Sequence, residues 1–230
     1  MRTRAGIILQ ARVGSTRLPG KALEPVGGCS MLERCLRRLI AGGVAHVVLA
    51  TTRLAEDDGL AAIAGRLGVP VFRGDVDDVL GRYVAAAEAF NLDPIVRATG
   101  DNPCVDIQAP GRVLASLRST GVDFVVEEGL PYGTCVEAMT ASALQHAAVG
   151  ATDPQDREHV TSYIKRRRDV FSCLEVDAPA PLRRPGLRLS VDTHEDLQWV
   201  RELFFRAGSD EPTLTELIAA AGRAQPRRVA

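Results

Sequence analysis

Hydrophobic positions in the first 127 residues follow two alternating patterns. Short apolar runs of strand length occur at Gly6–Ala11, His46–Thr51, Pro70–Phe72, Pro94–Thr99 and Asp123–Val126. Between them lie longer stretches whose apolar residues recur every three or four positions, which predicts helices over Ser30–Ile40, Asp57–Leu67, Asp77–Phe90 and about Gln108–Leu117. Met31, Leu32, Leu36 and Leu39 share one face of the first helix, and acidic residues open the third, where the helix dipole favours them. Strand–helix alternation of this kind implies parallel strands joined by right-handed crossovers, with helices on both faces. The expected fold class is α/β: a three-layer α/β/α sandwich, Rossmann-like, with a mostly parallel mixed sheet. After Glu127 the rhythm changes. Val136–Met139, Ala141–Val149, Asp156–Arg167, Phe171–Val176 and Leu187–Val191 form a mixed set around a Pro-rich turn at Pro179–Pro185. Helical spacing returns at Glu195–Phe205 and Thr213–Ala221, a C-terminal elaboration. No internal repeat or long linker interrupts the chain, so one domain over 1–230 with a flexible tail from 223 is the economical reading.

Composition narrows the class. The 230 residues are 46% hydrophobic and 25% charged, which is average globular usage and excludes general disorder. Aromatics are only 4%, so the core must rest on Val, Leu, Ile and Ala. A net charge of −1 argues against a nucleic-acid partner, and the basic clusters Lys165–Arg168 and Arg183–Arg184 read as exposed helix faces and turns. Five cysteines (Cys29, Cys35, Cys104, Cys135, Cys173) contain no C-x-x-C pair, so they read as reduced thiols rather than as a metal or redox site. The first apolar run is too short for a signal peptide or membrane span. The expectation is a cytoplasmic protein with no membrane partner.

Candidate chemistry begins in Ile7–Lys21, IILQARVGSTRLPGK. A buried strand passes here into a loop carrying Arg12, Gly14, Ser15, Arg17, Gly20 and Lys21. Backbone N–H groups freed by the two glycines, together with three cations, form a receptor for a polyanion such as a nucleoside triphosphate. Lys21 is followed by Ala22, which rules out a Walker A loop, and the glycine spacing rules out a G-x-G-x-x-G fingerprint. Four further segments carry polar groups in suggestive places. In Arg97-Ala98-Thr99-Gly100-Asp101-Asn102-Pro103 the aspartate suits either a cation ligand or a turn. Gly74–Tyr83 (GDVDDVLGRY) brings an acidic stretch to a helix start with Arg82. Asp156–Val160 (DREHV) offers a histidine for proton transfer, or a local cap and charge pair. Leu187–Thr193 ends in Asp192, with Thr193 and Asp196 reading as a helix cap.

In their order, these segments resemble those of the sugar cytidylyltransferases, the CMP-Kdo synthetase and acylneuraminate cytidylyltransferase superfamily. The likeness runs from about Ile7 to Leu203. Gln10 stands where the Kdo and neuraminate enzymes usually carry Pro, which fits the spore-coat polysaccharide biosynthesis branch. The resemblance implies a nucleotidyltransferase fold with a nucleotide-binding half (1–127) and an acceptor-binding, dimerising half (128–222) in a homodimer. It implies Mg²⁺-dependent transfer from CTP to a sugar acid, giving a CMP-activated product and pyrophosphate for surface polysaccharide or glycoconjugate synthesis. Lys21 and Arg12 would be catalytic. Gln10, Ala11, Arg12, Gly14, Ser15 and Lys21 would line the nucleotide, joined by Thr51, Arg82, Thr99 and Gly100. Asp101 and Asp192 would hold the metal. Gly133 and Glu137, from a PYGTCVE run, and Arg157, Glu158 and His159 would face the acceptor. A phosphonate or phosphosugar acceptor stays open, as does a non-catalytic nucleotide-sugar sensor of the same fold.

Overall fold

The computed structural model describes residues 3–43 and 46–223, so the tail expected over 223–230 lies, beyond Arg223, outside the described residues. The first strand, β1 (Arg4–Gln10), is followed by a small hairpin, β2 (Pro25–Val26) and β3 (Cys29–Ser30), and by α1 (Met31–Ala41). Then come β4 (Val47–Thr52), α2 (Asp58–Arg66), β5 (Val71–Gly74), α3 (Val79–Phe90), β6 (Leu92–Thr99), α4 (Ala109–Thr120) and β7 (Phe124–Glu128). The second half supplies β8 (Glu137–Met139), α5 (Ala141–Gly150), α6 (Pro154–His159), α7 (Ser162–Arg166), β9 (Cys173–Asp177), α8 (His194–Ala207) and α9 (Leu214–Gly222). Seven strands form one sheet in the order β5-β4-β1-β6-β8-β7-β9, and only β8 runs antiparallel to its neighbours.

Period-two alternation along β1 explains the three layers. Ile7 and Leu9 join the apolar cluster under α1, α2 and α4, whereas Ile8 joins the opposite cluster with residues of α3 and α5. Every residue from Ile7 to Leu9 is fully buried, as a parallel strand covered on both faces should be. The Tyr83 hydroxyl lies 3.0 Å from the carbonyl oxygens of Ile8 and Ala98, which pins α3 across β1 and β6. The chain lays β4 on one side of β1 and later β6 on the other. The loops after β1 and β6 therefore flank one crevice at the carboxyl edge of the sheet.

Several boundaries differ from the sequence expectation. The helix expected from Asp57 opens as a 3-10 turn over Ala55–Asp57 before α2. β6 starts at Leu92, ahead of Pro94, and its pairing with β1 shifts register between Arg4 and Gly6. Proline lacks the N–H that a regular ladder needs there. The single helix expected over Asp156–Arg167 is broken at Val160, whose φ is 58°. Burial of the Val160 side chain and a hydrogen bond from Thr161 to Glu137 hold that conformation. Leu187–Val191 is not a strand but an extended segment. Arg188 forms an isolated bridge to Tyr132, after which the Val191 N–H turns to the carbonyl of Asp101 at 2.8 Å.

A third apolar cluster joins the hairpin, α8, α9 and this extended segment. Two buried arginines one turn apart on α1 tie it to the main body. Arg38 donates to the carbonyls of Val105 at 2.8 Å and Pro212 at 2.6 Å. Arg34 donates to Asp210 O at 2.5 Å and to Gly27 O, pairs with Glu211 at 2.6 Å, and lies over the Phe204 ring at 5.1 Å. Substituting Arg38→Ala removes a packed stem and strands two buried carbonyls, so unfolding free energy in urea should fall by about 3 kcal/mol. An unchanged denaturation midpoint would show that the linkage carries no stability.

Candidate active site

The loop after β1 is folded around one residue. The Val13 carbonyl accepts from Ser15 N at 2.7 Å and Gly20 N at 3.0 Å, and its N–H donates to Asp57 Oδ1 at 2.7 Å. Gly20 adopts a φ of 76° and starts the short turn that carries Lys21. Lys21 Nζ lies 3.3 Å from Asp101 Oδ2, 3.2 Å from Asp192 Oδ1 and 2.8 Å from the Val191 carbonyl oxygen. Residues expected to share one ligand do meet in space.

Each partner is placed by its own local structure. Asp101 follows β6, where Gly100 donates its N–H to Gln10 O at 2.8 Å. A Cβ on Gly100 would stand 2.8 Å from Ala11 Cβ, so only glycine allows the two strand ends to close up. Asp192 precedes α8, whose start is a full capping box between Thr193 and Asp196, as the sequence suggested. The same Asp196 carboxylate accepts from Asp192 N at 3.0 Å. Arg17 reaches Asp192 Oδ1 at 2.8 Å, and Arg188 pairs with its other oxygen while lying 4.7 Å from the Tyr132 ring centre. Asp192 is thus a nearly buried carboxylate in a cationic ring.

These groups line a cavity of about 630 Å³. Gln10, Ala11, Arg12, Ser15, Arg82, Thr99 and Gly100, the residues expected around the nucleotide, line one wall of it, and Gly133, Glu137, Glu158 and His159, those expected to face the acceptor, line the far wall. Three predicted residues do not line it. Gly14 is exposed on the outside of the loop, and Thr51 is fully buried in β4. Arg157 donates to Ala148 O at 2.6 Å and pairs with Asp78, the N-cap of α3, so it fastens α6 to α3.

The far wall contains a charged cluster that sequence spacing did not reveal. Glu137 accepts from Arg97 at 2.8 Å, from Thr161 Oγ1 at 2.9 Å and from Lys165. Burial alone would raise its carboxyl pKa, but Arg97 and Lys165 together hold it below the ordinary value. Arg97 was legible only as a charge inside a buried strand. Lys165 belongs to a cluster read as an exposed face, and it is exposed, yet its ammonium pairs with Glu137 at the cavity wall. Arg82 is nearly buried, and burial lowers its pKa. Burial raises the thiol pKa of Cys135. Gln10 Oε1, Arg82 Nε, Arg97 Nε and Ser162 Oγ are buried polar atoms of this lining without a partner among the described residues, as in a site whose polar groups await a ligand.

The donor set also bears on a metal. No group of three or more His, Cys, Asp or Glu side chains gathers around one point among the described residues. Two aspartate carboxylates already converging on one cation offer hard oxygen donors, which suits Mg²⁺ completed by substrate phosphate and water.

Comparison with known proteins shows the family. A family model described as cytidylyltransferase matches residues 6–214. The chain is 34% identical to the Bacillus subtilis (strain 168) spore coat polysaccharide biosynthesis protein SpsF, over 94% of this chain and 93% of that one. It is 31% identical to a 3-deoxy-manno-octulosonate cytidylyltransferase of Mesorhizobium japonicum, over 86% and 97%. A solved cytidylyltransferase from Leptospira borgpetersenii superposes with a TM-score of 0.89 at 32% identity, covering 96% of this chain and 95% of that one.

The depressed Glu137 pKa makes a pH prediction. The stability it contributes is present above the ordinary glutamate value, about 4.3, and is lost as pH falls through the lower folded value. Between pH 5 and 3 the wild type should lose stability more steeply than Glu137→Gln in chemical denaturation. Parallel pH profiles would contradict the ionised, doubly paired state.

Proposed function

The chain belongs to the cytidylyltransferase family, and from that premise we propose that it transfers the cytidylyl group of CTP, with magnesium, to a sugar acid. It is a nucleotidyltransferase, so the proposal concerns the metal, the residues and the acceptor. One observation carries it: the Lys21 ammonium within 3.3 Å of both Asp101 and Asp192, in the lining of the cavity beside the β1 loop.

In this reading the triphosphate lies along the β1 loop. An acceptor oxygen forms a bond to the α-phosphorus in line, the bond to the β-phosphate bridging oxygen breaks, and pyrophosphate leaves. Negative charge builds on the non-bridging and leaving oxygens, so fixed cations are the main catalytic device. Lys21 moves its positive charge from the two aspartates to the phosphates, and Arg12 adds a second cation. Arg12 is free to do so, because its present contacts are a 3.3 Å bond to Val76 O and a 3.8 Å pair with exposed Glu158. Asp101 and Asp192 would hold the magnesium, which offsets phosphate charge. Backbone around Ala11 and the side chains of Gln10 and Arg82 bound the nucleoside.

The acceptor half of the proposal draws on the relatives and on the far wall. SpsF is a spore coat polysaccharide biosynthesis protein, and the Mesorhizobium relative is a cytidylyltransferase for an acidic sugar. Arg97 and Lys165 place two cations beside one carboxylate there, which favours an acceptor bearing an anionic group. Use in surface polysaccharide synthesis belongs to the same proposal.

Pyrophosphate release from CTP and Mg²⁺ with a panel of acceptors tests it, and sugar acids should support turnover. Lys21→Ala should cut that turnover by about 10²–10³ while melting normally, the usual effect of losing one preorganised charge contact. Near wild-type turnover in that variant would remove the role given to Lys21. Release only with phosphonates or phosphosugars would overturn the acceptor assignment.

A further inference from the structure

Asp57 is fully buried and forms no salt bridge among the described residues. It occupies the N-cap position of α2, where an aspartate ordinarily accepts from its own helix, yet its side chain makes no such cap. The carboxylate is directed elsewhere. Oδ1 accepts from Val13 N at 2.7 Å, 44 residues earlier in the chain. Oδ2 accepts from Thr52 N at 3.2 Å and from the Thr52 hydroxyl, at the end of β4. A helix cap has been forgone to hold the loop that follows β1.

That loop hangs on Val13. The Val13 carbonyl closes the turn by accepting from Ser15 N and Gly20 N, and its N–H has Asp57 as its partner. Arg12 and Ser15, either side of the anchored peptide, both line the cavity, and Gly20 sets the turn that aims Lys21. A buried carboxylate whose hydrogen-bond donors are all neutral is costly, even with the Arg82 guanidinium near enough to interact, and the donors it satisfies here fix a backbone rather than a core. Without the anchor the loop gains conformations, and a ligand that needs one of them binds more weakly in proportion to its lost population.

We propose that Asp57 is a positioning residue that preorganises the Arg12–Lys21 loop for the nucleotide, acting on CTP affinity rather than on the chemical step. This rests on the reading above, that the loop receives CTP. Asp57→Ala should weaken CTP binding by about tenfold or more in calorimetry and raise KM for CTP by a similar factor. Turnover at saturating CTP should stay within about threefold, because Lys21, Asp101 and Asp192 are untouched. Asp57→Asn keeps one carbonyl oxygen for Val13 N and should recover part of the affinity.

Amide hydrogen exchange of the ligand-free protein provides a readout independent of nucleotide. The amides of Val13, Ser15 and Gly20 should exchange faster in Asp57→Ala while those of β4 and α2 keep their protection. If Asp57→Ala does not fold, Asp57→Asn carries the same comparison: weaker CTP binding and faster Val13 exchange are expected. CTP affinity within twofold of wild type in the folded variant would overturn the inference, as would a fall in kcat at unchanged KM. Exchange spread evenly through β4 and α2 would also overturn it, by making Asp57 a general fold contact. A wild type that does not bind CTP would instead sink the nucleotide reading on which the inference stands.

Discussion

One ammonium group ties together three remote parts of this chain. Lys21 is 80 residues from Asp101 and 171 from Asp192, yet its Nζ contacts both carboxylates and the carbonyl that precedes the second. Two acidic groups that close would repel each other without a cation between them. The site therefore needs a positive charge in that position, and much of the architecture delivers it. The loop of β1 supplies the lysine, the end of β6 supplies one aspartate, and the start of α8 supplies the other.

Delivering Asp192 depends on structure outside the sheet. α8 and α9 pack with the small hairpin in a separate apolar cluster, and buried arginines of α1 and the extended segment Leu187–Val191 help connect them to the crevice. The capping box at Thr193 then fixes the first turn, and the capping carboxylate also holds the backbone N–H of Asp192. A helix cap is usually a local matter of about 1 kcal/mol. Here it also sets the position of a site carboxylate.

The opposite wall is organised by a different charge cluster. Glu137 comes from β8, the antiparallel strand inserted between β6 and β7, and register pairing sets it opposite Arg97. The interruption of the helical segment at Val160 brings Thr161 and Lys165 onto the same carboxylate. An unbroken helix would have carried these side chains along one straight face. The backbone irregularity and the antiparallel strand thus serve one cluster, within the cavity that Lys21 enters from the other side.

The period of the apolar pattern was enough to locate the large sheet's strands and the helices of the first half, though not the two-residue strands of the β2–β3 hairpin, because burial on both faces leaves no polar alternative at Ile7–Leu9 or Val47–Ala50. The β1 loop was legible for the same reason: so many glycines and cations immediately after a buried strand have few uses. Helix caps such as Thr193 with Asp196 were also readable, since their chemistry is complete within four residues. Long-range contacts were hidden. Nothing local shows that Asp57 leaves its own helix for Val13, that exposed Lys165 pairs with Glu137, or that Arg157 fastens two helices rather than lining the cavity. Helix and strand formation depend on neighbours in sequence, which the chain displays directly. Which charges become partners depends on where a seven-stranded sheet and its crossovers bring distant segments, and only the packed structure decides that.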